Sequence, residues 1–111
     1  MLTPETLEAS YNLLKTTKPF SGWKLPDSED IVFIVYKKLG HDGELAINNS
    51  VITIAINGNN SSLASVLKVV AHEMVHLRQY QLGRRKLTHG KEFKKLAAKV
   101  CAIQCWEASN F

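Results

Sequence analysis

Cysteine is scarce in this sequence. Two residues of 111, Cys101 and Cys105, are too few for the disulfide framework that holds most small secreted domains together. Long apolar runs are missing too. The longest uninterrupted one, Ile31 to Tyr36, falls far short of a bilayer span, so no membrane partner is expected. The first residues, MLTPETLEASYNLLKT, lack a basic stretch followed by an apolar one, which argues against a secretory leader and for a cytoplasmic protein. No repeat, low-complexity segment or internal boundary interrupts the chain, and its length suits one domain over residues 1–111. With 45% hydrophobic and 22% charged residues, the composition is that of a globular chain rather than a disordered one.

What is present is unevenly spread. Up to His76 there are six Lys/Arg against eight Asp/Glu, a balance of −2; from Leu77 onward there are eight against two, a balance of +6. A basic last third on a nearly neutral body suits a polyanionic partner, and equally a solvated helix face. The candidates for contact with such a partner are Arg84, Arg85, Lys86, Lys91, Lys94 and Lys95. Cys101 and Cys105 sit four apart in a helical pattern, where both read as small buried hydrophobes. A redox pair or an extra metal site is the alternative.

Periodicity predicts an α+β order of helix, three strands, helix, helix. A first helix is expected over 4–17, capped by Thr3 with Pro4 in its first position. A loop follows in which Trp23 should pack onto the core. Strands are expected over 30–38, 44–48 and 51–57, with turns at Asp42-Gly43 and near Asn49. A long helix over 62–82 should be capped by Ser61 or Ser62 and stopped by Gly83. The last helix is expected from about Gly90 to 107.

The long helix contains VVAHEMVHLRQY. Leu63, Leu67, Val70, Met74 and Leu77 follow steps of four and three and predict a core stripe. His72 and His76 fall on the other side, in a polar line with Ser65, Lys68 and Gln79. Two imidazoles one turn apart can reach one metal ion, and Glu73, turned about 100° away, can approach a water there without ligating. HExxH thus offers two ligands and a general base within five residues. A catalytic zinc needs a third protein ligand. Gln79 and Leu82 stand where HExxHxxGxxH would need glycine and histidine, so that class is excluded. His89, Glu92 and His41 remain as candidates. His89 comes first among them, because a helical hairpin can bring the start of the last helix beneath the histidine pair.

HEMVH followed by HGKEF resembles the SprT-like (Spartan-type) zinc metalloprotease family, whose pattern is HExxH and then His-Gly-x-x-Phe opening another helix. The resemblance covers roughly residues 31–107. It implies a small zincin-like fold, one zinc ion held by His72, His76 and His89, Glu73 as general base, and Phe93 as a packing residue. It also implies an endopeptidase acting on protein substrates, with DNA as a partner, since well-known members cleave proteins crosslinked to DNA. Two other readings remain open: a zincin whose target is unrelated to DNA, and a non-catalytic zinc-containing accessory module that binds DNA. An oxyanion-stabilising residue is expected, and Tyr36 and Tyr80 are candidates. The strand over 51–57, if it lies at an edge, could bind substrate main chain by strand addition.

Overall fold

A computed structural model describes residues 1–37, 40–60 and 62–111. Helix α1 (Pro4–Lys15) opens with Thr3 Oγ1 accepting from the Thr6 amide at 3.2 Å. It ends two residues before the expected position because the Thr16 and Thr17 hydroxyls turn back onto the carbonyls of Leu13 and Leu14. Leu7, Tyr11 and Leu14 form its buried face. The following loop is pinned by the Tyr11 hydroxyl, which donates to the Pro26 carbonyl at 2.6 Å. Trp23 is buried as expected, edge-on to Phe20 and beneath the Arg78 guanidinium.

Strands β1 (Ile31–Tyr36), β2 (Gly43–Asn48) and β3 (Val51–Asn57) form a mixed sheet in the order β1-β3-β2. β3 runs parallel to β1 and antiparallel to β2. Asn49 and Ser50, both at positive φ (49° and 66°), make the two-residue turn between β2 and β3. Ile52, Ile54 and Ile56 point from β3 into the helical layer, while Val32, Ile34 and Val51 remain on the exposed side. The central position of β3 corrects the expectation of a free edge over 51–57: both of its sides are hydrogen-bonded, and β2 and β1 are the edges. The part of the 30–38 expectation that reaches Lys38 lies outside the described residues, as does the alternative cap Ser61.

Helix α2 (Leu63–Gln81) starts at Ser62, whose hydroxyl accepts from the Ser65 amide, and stops before Gly83 at φ +87°. Its centre is buried on nearly every side: Val66, Val70, Ala71, Met74, Val75 and Leu77 are each at most 3% exposed. Two parts of the expected pattern change. Leu63 is exposed, because the first turn borders an open groove against α1. The polar line is also unevenly covered: His76 and Gln79 are buried, while Ser65, Lys68 and His72 are half-buried.

The cause is helix α3 (Lys91–Gln104), which packs Phe93, Ala97, Val100 and Cys101 over that side. α3 ends three residues earlier than expected. Cys105 takes a left-handed conformation at φ 63°, and the Trp106 amide closes onto the Cys101 carbonyl. Cys105 therefore ends up exposed beyond the helix, while Cys101 is buried as expected.

Candidate metal centre

The helical spacing of four places His72 and His76 on one side of α2, and the loop before α3 brings His89 against both. His89 Nε2 lies 3.0 Å from His72 Nε2 and 3.1 Å from His76 Nε2. One ligand atom from each residue can be chosen so that all three lie within 4.8 Å of one another. Phe93 forms the floor, its ring centroid 4.7–4.9 Å from those of the three imidazoles.

Does this donor set suit a metal? The Nδ1 atom of His72 lies 2.9 Å from the main-chain oxygen of Phe111. That of His76 lies 2.7 Å from Gln79 Oε1. Both oxygens accept, so both Nδ1 atoms donate, and each neutral imidazole keeps its lone pair on Nε2. Those lone pairs converge on His89 Nε2, where a single proton could satisfy only one of them. A cation would satisfy all three. Tetrahedral bonds of about 2.0–2.1 Å would set the nitrogens about 3.3 Å apart, near the two distances observed. Three neutral nitrogen donors suit zinc or another late transition metal rather than calcium or magnesium. The residues fit.

The electrostatics fit as well. Burial pushes His72 down to about 4, outweighing the opposite pull of its bond to Phe111. Burial lowers His76 too, against the effect of Gln79. Both rings are thus kept neutral, as ligands must be. Glu73 is 4% exposed, and burial, aided by the nearby Glu44 charge, raises its carboxyl to about 8. It lines the same cleft of about 360 Å³ as His72 and His89. A carboxylate so poorly solvated is a strong proton acceptor.

Of the other ligand candidates, Glu92 points away and is held by Arg84, whose Nε donates to it at 2.8 Å. His41 is exposed and outside the cluster; its main-chain oxygen accepts from Asn57 Nδ2. Tyr80 borders a separate pocket with Arg84 and Arg85. The Tyr36 hydroxyl donates to the His41 carbonyl at 3.4 Å, and burial raises its pKa, aided by the charges of Glu44, Glu73 and Asp42. Arg84, Arg85, Lys86, Lys91, Lys94 and Lys95 are all exposed, in the loop and first turn around His89. Arg84 is already engaged by Glu92.

Two contributors escaped the sequence reading. Gln79 stood in the polar line without a role, although its position three residues after His76 places it within reach of that ring. Phe111 gave no local signal at all: its contact with His72 spans 39 residues.

The free edge of β2 forms one wall of the centre, with Gly43, Glu44 and Leu45 facing the same hollow as the three histidines and Glu73. A Cβ on Gly43 would stand 2.8 Å from Ile56 Cδ1 and 2.9 Å from Val69 Cγ1, so glycine is what lets this edge close on α2. On the other side, Phe93, Ala97, Ala108 and Phe111 line an apolar pocket of about 500 Å³ that opens at His72 and His89.

Among the described residues no helix is long and apolar enough to cross a membrane. A family model described as the SprT-like family matches residues 23–110. Neither the comparison with curated proteins nor that with solved structures returns a match.

Proposed function

The chain belongs to the SprT-like family, and from that premise we propose that it is a zinc-dependent endopeptidase acting on DNA-associated or DNA-crosslinked proteins. The observation that carries the reading is a buried carboxylate, Glu73, lining one cleft with three convergent imidazoles. His72, His76 and His89 would hold the ion. Zinc bound there would polarise the scissile carbonyl and make water more acidic.

The chain's own groups supply the rest. Glu73 takes a proton from the attacking water and delivers it to the leaving amine, and its low solvation favours the first transfer. The unpaired edge of β2 offers main-chain hydrogen bonds to an extended peptide, a recognition mode that tolerates many sequences. An apolar side chain of that peptide would fit the pocket of Phe93, Ala97 and Phe111. Arg85, Lys86, Lys91, Lys94 and Lys95 supply positive charge around His89, so phosphate binding there would bring targets beside the centre.

The test is cleavage of a DNA-binding protein by the zinc-loaded chain, with and without DNA, and with Glu73→Gln as control. Cleavage that needs both Glu73 and DNA, and that weakens steeply with salt, supports the full reading. Glu73-dependent cleavage indifferent to DNA leaves a zincin whose target lies elsewhere. Zinc binding without hydrolysis under any condition would point to an accessory module.

A further inference from the structure

We propose that Gln79 is a positioning residue that couples the second and third metal ligands, fixing the tautomer of His76 and the place of the His89 loop through one amide. The proposal rests on the metal-centre reading and adds a determinant outside the ligand set.

Gln79 is 2% exposed, in a helix interior where an apolar residue would ordinarily pack. A buried amide is kept only where its atoms are paired. Its Nε2 donates to the Thr88 carbonyl at 3.0 Å, and its Oε1 lies 2.7 Å from His76 Nδ1. The orientation follows from chemistry. Thr88 offers a carbonyl oxygen, which can only accept, so the amide nitrogen must face it and the amide oxygen must face His76. His76 is thereby required to carry its proton on Nδ1, leaving Nε2 free to ligate.

The other half of the amide reaches the residue just before His89. A rotation of Gln79 would therefore disturb both ligands together. Reversing the amide would set its NH2 group against His76 Nδ1 and its oxygen against the Thr88 oxygen. The contact with Thr88 would be lost outright, and the one with His76 would survive only if the ring moved its proton to Nε2, so the observed orientation is the one that pairs both ends of the amide. It ties the HEMVH helix to the loop that opens into HGKEF. His72 has a separate support in the Phe111 main chain, so loss of Gln79 should affect two ligands and spare the third.

The test uses the full chain with Gln79→Met, which keeps most of the volume and removes both polar atoms, and Gln79→Glu, which keeps an acceptor and loses the donor. Imidazole nitrogen chemical shifts in the metal-free protein report the tautomer directly. Wild-type His76 should be protonated on Nδ1, and Gln79→Met should move the proton to Nε2 or mix the two forms, with His72 unchanged. Gln79→Glu should restore the Nδ1 proton. Zinc affinity, measured by competition with a chromophoric chelator, should fall about 10–100-fold in Gln79→Met, the usual cost of losing a partner of a ligand histidine.

A wild-type His76 protonated on Nε2 would overturn the proposal, whatever becomes of the variants. So would a Gln79→Met protein with an unchanged tautomer and zinc affinity within twofold of wild type. Both readouts are independent of turnover. Failure to hydrolyse peptides would sink the peptidase reading and leave this one standing.

Discussion

The Nε2 atoms of His76 and His89 stand 3.1 Å apart although thirteen residues separate them in sequence. The geometry of α2 alone aligns His72 with His76, whereas His89 joins them only when α3 docks. The centre is therefore completed by tertiary structure, and metal binding should be linked to the seating of α3.

His89→Ala should retain the fold, since the residue is exposed, and lose at least about 100-fold in zinc affinity, more than the loss of a supporting partner. Chelator competition beside far-ultraviolet circular dichroism measures both. Affinity close to wild type would remove His89 from the ligand set.

Glu73→Gln should stabilise the metal-free protein in a pH-dependent way. The folded carboxyl titrates near 8 and the unfolded one near 4.5, so the folded state holds a proton that the unfolded chain releases between those values. Below about 4.5 the wild type and the variant should match. As pH rises towards 8 the variant should gain, by at most about 5 kcal/mol. Urea denaturation of chelator-treated protein at several pH values tests this, and a constant gap would refute the assigned cause.

In that same Glu73→Gln background the histidines can be read alone. The folded value for His72 is about 4 and that of His76 is also lowered, against about 6.5 in an unfolded chain. Between these limits the unfolded chain gains protons that the folded state refuses. Stability of the metal-free variant should therefore be full above 6.5 and fall as pH drops towards 4. Stability rising over that interval would contradict the burial of these rings.

Gly43→Ala should destabilise the fold by about 1–3 kcal/mol, because the added methyl meets Ile56 and Val69 and stands 3.1 Å from the Ala55 carbonyl. Gly22→Ala, where a Cβ meets nothing within 4 Å, serves as the control. Equal thermal midpoints for the two would mean that β2 moves out freely.

How much of this could be read from the sequence depends on the range of the forces involved. Alternating isoleucines placed β3 at Val51–Asn57 with the expected limits, and Thr3, Ser62 and Gly83 marked helix ends, because these signals act within a few residues. HExxH locates two ligands by helical geometry, and the helical hairpin ranks His89 first as the third, with HGKEF adding the support of a family resemblance. Strand order is not legible: nothing local in 51–57 says that two partners flank it, and its alternation suits an edge strand as well as a central one. How deeply His76 and Gln79 lie is not legible for a similar reason, since it depends on where Phe93 and Ala97 of a distant helix come to rest.

Placing β3 at the centre leaves the sheet with two margins unpaired among the described residues, and that of β2 faces the cleft. The β1 margin lies at the opposite side of the sheet, where Val32 and Ile34 are 45% and 42% exposed. Its six residues, IVFIVY, contain neither a charge nor a proline to discourage another chain from pairing there. Colloidal behaviour should therefore be decided far from the histidines. In concentrated solution this margin is where molecules would begin to stack, and a lysine at position 34 is the remedy that leaves the centre untouched.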